Sequence, residues 1–374
     1  MKRSIPLLFG ILLLSCSHDN SRFDECFKQL NTYSLSSEPT SDLSIFSCRI
    51  HPDKPDAFLT FKHHDTLFVY DEGIERITYK ISLAQVKDLT YRDHLVYKPD
   101  SVFILSLSND NEMYISLLNE NGDVYKRWNV SKSASSAFPG YFYIDSRYFH
   151  PMIIKGNELY FNASYRLKAG VKIDKSIPTQ MILNLSTDSA FQFGDLPDEY
   201  KQGDFYGNHQ RDYSRLINNK GQLVFSFPIS HDIYIYDKEG ELLQTNNCKS
   251  NFIAGFETIE EMKNDGDLSA IIDAYAYNAR YLDLVYDKYN NRYFRIALHK
   301  LEKYDEGGSI NDYRLRRWSI LVLDENFNIL EEVLMPENIF MTRLIPTAQG
   351  LILQPIIENN QNELRTYNYQ ACIN

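Results

Sequence analysis

Six short apolar runs, each closing on Asp or Asn, recur along this chain, and self-similarity of this kind restricts the fold more than any other feature of the sequence. They are LFVYD ending at Asp71, YISLLN at Asn119, QMILN at Asn184, DIYIYD at Asp237, SILVLD at Asp324 and LRTYN at Asn368. Turn material follows most of them. In DEGIE, NENGDV and DKEGEL the Asp or Asn opens a tight connection and Gly supplies the positive φ that it needs. Each run is preceded by another strand-like stretch: AFLTF, VFILSLS, ELYFNAS, QLVFSFP, YFRIAL and LILQPII. A further turn and a shorter strand stand before these, as in RYFHPMII and RYLDLVYD, and a last strand follows, as in ERITYKISL, VYKRWNV and ELLQTNN. The unit is a four-stranded antiparallel meander, and four-stranded sheets repeated radially make a β-propeller. The expected fold is all-β: a six-bladed β-propeller of four-stranded antiparallel blades over residues 43–374. The 27 Tyr and 22 Phe agree, because aromatic residues favour strands.

Closure is expected at the ends of the chain. IFMTRLIPT, GLILQPII and ELRTYNYQ supply three strands of the sixth unit, and the segment around FKQLNTYSL, within residues 16–42, supplies the fourth and protects an open edge. One insertion, residues 256–281, has helical spacing at Ile271, Ile272, Tyr275 and Ala279, and is expected between blades four and five.

Aligning the heads of the innermost strands brings out one arginine per repeat: Arg49, Arg92, Arg147, Arg215, Arg280 and Arg343. In a propeller these positions lie near one mouth of the central channel. Guanidinium groups are planar, forked donors suited to carboxylate, sulfate or phosphate. Unneutralised, they repel by roughly 1 to 4 kcal/mol per close pair, so each needs a partner. Two readings follow. Either each arginine staples one blade to the next, with Asp93, Asp145, Asp212 and Asp283 as acids close at hand, or part of the ring stays open as an anion site. Two long connections, residues 135–150 and 203–215, mix aromatics with His150, His209, Arg211 and Tyr213, which makes these candidate loop contacts to a glycan or peptide. An enzyme acting on acidic glycans, a lyase or a hydrolase, is the alternative; there His51, His94, His209 or Tyr213 would move a proton. No catalytic residue is assigned.

The first residues, MKRSIPLLFGILLLSCS, carry two basic residues, a short apolar run and a cysteine, the layout of a signal peptide over residues 1–15. LLSC resembles the lipobox of bacterial lipoproteins, which implies lipidation of Cys16 and a membrane partner through the N-terminal lipid. With Ser17 next, the resemblance implies the outer membrane. The whole mature chain resembles the six-bladed propeller lipoproteins of Gram-negative, Bacteroides-like bacteria, a family without an established activity. Cys26, Cys48, Cys248 and Cys372 then permit up to two disulfides in any of three connectivities. A formal charge of −11 gives a nucleic-acid partner no electrostatic support. His63 and His64 beside Asp65 lack a third ligand at suitable spacing, so no metal is expected there. No cofactor motif occurs; the possible partner is an anionic glycan or a protein.

Overall fold

The computed structural model describes residues 21–34, 59–70, 77–98, 100–110, 112–131, 142–145, 150–165, 178–201, 212–259, 268–341, 344–356 and 363–370. The described chain starts with α1 (Ser21–Cys26) and β1 (Phe27–Ser34). Sheet one holds β2 (Leu59–His63), β3 (Thr66–Tyr70) and β4 (Ile77–Ser82). Sheet two holds β5 (Thr90–Lys98), β6 (Ser101–Leu107), β7 (Met113–Leu118) and β8 (Val124–Asn129). Sheet three holds β9 (Phe142–Asp145), β10 (Ile153–Lys155), β11 (Glu158–Tyr165), β12 (Gln180–Asn184) and β13 (Ala190–Phe193). Sheet four holds β14 (Ser214–Ile217), β15 (Leu223–Ser226), β16 (Asp232–Tyr236) and β17 (Leu242–Asn247). After α2 (Leu268–Tyr277), sheet five holds β18 (Arg280–Asp287), β19 (Arg292–Leu298), β20 (Trp318–Leu323) and β21 (Ile329–Leu334). Sheet six holds β22 (Ile345–Thr347), β23 (Gly350–Leu353) and β24 (Glu363–Tyr369).

Every sheet is antiparallel, and β1 joins sheet six on β24, with Phe27 opposite Tyr369 and Ser34 opposite Glu363. The first and last described strands of the chain thus share one sheet. Sheet three departs from a simple meander. Both β9 and β10 pair with β11, because the expected first strand is broken around Pro151, which has no N–H to give the ladder. Part of the connection expected over residues 135–150 is therefore strand.

Consecutive sheets pack face to face in chain order. In β6, Val102 and Ile104 join Leu67 and Val69 of sheet one, while Phe103 and Leu105 join Leu159 and Phe161 of sheet three. Alternate residues of one strand thus bury against different neighbours, which is why the runs read as continuously apolar. Tyr160 meets Phe225 between sheets three and four, Val224 meets Tyr281 between four and five, and Phe294 meets Tyr367 between five and six. Phe23 and Phe27 complete the last interface. At roughly 1.5–3 kcal/mol for each large side chain fully buried, these interfaces hold the sheets together.

In four of the six runs the closing Asp or Asn has a specific function. Asn119, Asn184, Asp237 and Asp324 each accept two backbone N–H groups of the turn that follows, at 2.8–3.1 Å. Gly240 takes the left-handed position in its turn at φ 89°, and Phe327 takes the same position at φ 66°. Phe327 offsets its backbone strain by stacking on Tyr293 at 4.4 Å.

The insertion forms its helix, and of the four spaced residues Ile271 and Ala279 are buried while Ile272 and Tyr275 are not. Ile271 and Ala274 are buried, whereas Ile272 is 56% and Tyr275 40% exposed. Only one stripe of a ten-residue surface helix can face the sheets, and Tyr275 instead turns its ring under a guanidinium.

Cys248 is buried with a free thiol, which burial pushes up to about 11. Its Sγ donates to the carbonyl of Phe327 at 3.4 Å. Cys26 is disulfide-bonded. A free Cys248 leaves one disulfide at most among the four expected cysteines; Cys48 and Cys372 lie outside the described residues.

Candidate functional site

Of the six aligned arginines, Arg92, Arg215 and Arg280 fall within the described residues; Arg49, Arg147 and Arg343 lie outside them, as do Cys16, His51, His209 and Arg211. The three occupy equivalent strands in different surroundings. In β5 a bulge between Tyr91 and Asp93 turns Arg92 outward, where it is exposed, and leaves Asp93 and His94 buried. Histidine 94 is spent on neighbours: its ring nitrogens lie 2.6 Å from Thr60 Oγ1 and 2.5 Å from the Tyr91 hydroxyl.

Arg280 heads β18 and is 4% exposed. Its Nη1 donates to the Tyr275 carbonyl and its guanidinium lies 3.7 Å from the centre of the Tyr275 ring. Arg316 joins it there, donating to the carbonyls of Ala276 at 2.9 Å, His299 at 2.5 Å and Asn278. Two cations thus satisfy carbonyls left open at the C-terminal end of α2. Arg280 is a staple that holds the insertion to sheet five, although its Nε has no hydrogen-bond partner among the described residues.

Arg215, the second residue of β14, is 2% exposed. Its Nη1 donates to Gln180 Oε1 and its Nη2 to the Pro151 carbonyl, which lies in the break of the first strand of sheet three. Its Nε has no hydrogen-bond partner among the described residues, and no carboxylate among them forms an ion pair with it. Burial pushes its pKa down to about 10, against the opposing influence of Tyr213, Asp93 and Tyr160. It remains a cation at neutral pH, enclosed and incompletely compensated, which is costly unless something else answers the charge.

Around it lies a buried polar cluster drawn from sheets two, three and four: Asp93, His150, Asn162, Gln180 and Tyr213. Gln180 Nε2 donates to the Thr179 carbonyl at 2.6 Å and to the Tyr213 hydroxyl at 3.1 Å, and that hydroxyl donates in turn to the Thr179 carbonyl. Asn162 and His150 Nε2 are 3.1 Å apart, and the His150 ring lies 5.5 Å from that of Tyr213. Ser214 Oγ donates to Asp283 at 3.0 Å, joining the first strands of sheets four and five. His150 and Tyr213, expected as loop contacts, are therefore enclosed between sheets, because the alternation of β14 turns Tyr213 into the interface with Tyr160 and Phe225.

Sequence reading missed Arg295, the most fully engaged arginine among the described residues. Its guanidinium, 3.5 Å from the centre of the Tyr281 ring, donates to Ser226 Oγ at 2.9 Å and to the carbonyls of Ser230 at 2.7 Å, His231 at 2.8 Å and Cys248 at 3.1 Å. It is what an inter-sheet staple looks like when complete. The signal was an arginine inside the apolar run YFRIAL, where a charge has to be answered by the neighbouring sheet.

The sequence profile of a domain of unknown function, DUF4221, matches residues 90–334, more than half of the chain. The chain belongs to the DUF4221 family. Sheets two to five and the helical insertion fall within the matched region. Among solved structures it is similar to a DUF4221 member from Bacteroides vulgatus, with a TM-score of 0.70 at 17% identity, covering 92% of this chain and 97% of that one. It is also similar to a protein of Bacteroides fragilis thought to be exported, with a TM-score of 0.52 at 10% identity, covering 93% and 96%. These likenesses concern the fold. No curated protein matches the chain. Among the described residues no helix is long and apolar enough to cross a membrane.

Proposed function

We propose that this DUF4221 protein is a ligand-binding lipoprotein of the cell envelope, in which the six sheets close radially as a six-bladed β-propeller. The N-terminal lipid at Cys16 tethers it to the outer membrane. The ligand is an anionic glycan or an acidic segment of a protein, held at the channel end of the inner strands. The pairing of β1 with β24 and the face-to-face packing of consecutive sheets support the ring. The observation that carries the binding reading is Arg215: a buried guanidinium with its Nε unsatisfied, no ion-paired carboxylate among the described residues and, unlike Arg280, whose Nε is also unpartnered, no aromatic ring beneath it among them. Arg92, exposed on the equivalent strand of sheet two, adds a second cation for a carboxylate or sulfate.

The enzyme alternative asks for a His or Tyr within reach of two or more open arginines. Tyr213 and His150 lie close to Arg215 alone among the described arginines of the series, and the Tyr213 hydroxyl is engaged by Thr179 and Gln180. Binding therefore has the better support.

Calorimetric titration of the full-length protein in detergent with an oligogalacturonate and a heparin-derived oligosaccharide tests the reading. Binding of either, weakened at least tenfold in Arg215→Gln and weakened in Arg92→Ala, is the expected result. Equal binding by Arg215→Gln, in a variant that still melts cooperatively, would remove the site. Mass spectrometry of the mature protein tests the tether, where the expected product begins at an acylated Cys16.

A further inference from the structure

Away from the arginines, a cleft of about 770 Å³ opens between sheets three and four. That volume suits a small organic ligand. One wall is Phe193 at the end of β13 with the segment that follows it; the other is the face of β16 that presents Asp232, Tyr234 and Tyr236. Four carboxylates line it, Asp195, Asp198, Glu199 and Asp232, against the single ammonium of Lys201.

The cleft already holds an alkylammonium, supplied by the chain itself. Lys201 Nζ donates to Asp195 at 2.6 Å and lies 3.3 Å from Asp198. Glu199 and Asp232 instead take neutral donors: Ser230 Oγ at 3.1 Å and Asn247 Nδ2 at 2.7 Å. Those contacts orient the two carboxylates without cancelling their charge. Tyr236, 7% exposed, also lines the cleft, and its hydroxyl has no hydrogen-bond partner among the described residues. Burial, with Asp195 and Tyr234 adding to it, keeps this phenol protonated and uncharged. A phenol hydroxyl without a protein partner on the wall of a cleft of this size is placed to meet a polar group of a ligand.

We propose that this cleft binds a primary alkylammonium ligand. The cation sits between Asp232 and Glu199, its methylene chain lies along Phe193, Tyr234 and Tyr236, and the Tyr236 hydroxyl oxygen accepts from a further N–H of the ligand. Carboxylates supply the charge and the aromatic walls favour an ammonium over a neutral chain of the same length. The ammonium can belong to a free polyamine or to a lysine side chain of a peptide. This site is independent of the arginine site, and either can fail without the other.

Isothermal titration of the full-length protein with spermidine, with an acetylated and amidated Gly-Lys-Gly peptide, and with pentane-1,5-diol as a neutral control is the test. At least one amine binds and the diol does not; affinity falls at least tenfold in Asp232→Asn combined with Glu199→Gln, and rises in Lys201→Met, which removes the internal competitor. Spermidine binding alone identifies a free polyamine as the source, and peptide binding identifies a protein lysine. The proposal is overturned if neither amine binds wild type or Lys201→Met, or if the doubly neutralised variant, with an unchanged melting temperature, binds as wild type does.

Discussion

At the scale of single residues, the repeat signature is a device for closing turns. Asp237 Oδ1 accepts the backbone N–H groups of Glu239 at 3.0 Å and Glu241 at 2.8 Å, and Gly240 takes the left-handed conformation between them. Replacing Asp237 by Ala leaves both donors to solvent, and the protein is expected to lose about 1–2 kcal/mol in denaturant unfolding; no loss would show that the carboxylate is dispensable to the turn. This chemistry was legible in sequence because it depends on neighbours a few residues apart. Its variants were less legible: nothing local announces that Phe327 holds the position Gly240 holds, since the stacking that stabilises it comes from Tyr293, 34 positions away (327 − 293). Residue chemistry also sets a dependence on pH. Burial, reinforced by Arg316 and Arg317, pushes His299 from 6.5 down to about 4, and burial with Lys249 and Arg295 does the same to His231. The unfolded chain binds more protons than the native one between those values, so the contribution is complete above pH 6.5 and is lost as pH falls toward 4. Thermal midpoints should drop across that window, with a loss on the order of 2–3 kcal/mol for the deeply buried His299. His299→Asn should flatten the profile; an unchanged slope would assign the titration elsewhere.

At the scale of elements, the strands were readable and their partners were not. Continuous apolar runs such as VFILSLS gave β6 because both of its faces are covered, by sheet one and by sheet three. The insertion was readable as a helix from its period, but the period could not say which stripe is buried, since Arg280 and Arg316 hold its C-terminal end from outside the helix. These two arginines make a prediction that belongs to the element. Arg316→Ala should leave the carbonyls of Ala276 and Asn278 without their donor and raise amide exchange over residues 268–277 at least tenfold, with the strands of sheets two and three unchanged. Exchange that rises everywhere, or nowhere, would show that the helix is not held through this contact. Alignment alone could not separate Arg280 from Arg215. Both head a first strand, yet one faces the end of a helix and the other a broken strand with Gln180 beside it.

At the scale of the whole molecule, one packing rule runs through the described sheets: each of sheets two to five buries one face on the sheet before it and the other on the sheet after it. Large aromatics fill those interfaces, and where a polar group has to enter them, an arginine satisfies the carbonyls that the adjoining sheet leaves open. Arg295 does so completely, with one hydroxyl and three well-placed carbonyls. Arg215 does so incompletely, and that difference is the reason to propose binding at one and architecture at the other. An anomalous diffraction experiment on crystals soaked in bromide puts that difference to a direct test. A bromide peak within hydrogen-bond distance of Arg215 Nε, and none beside Arg295, is the predicted result. A carboxylate of the protein bonded to Arg215 Nε, with no bromide nearby, would make it a second complete staple and contradict the anion site.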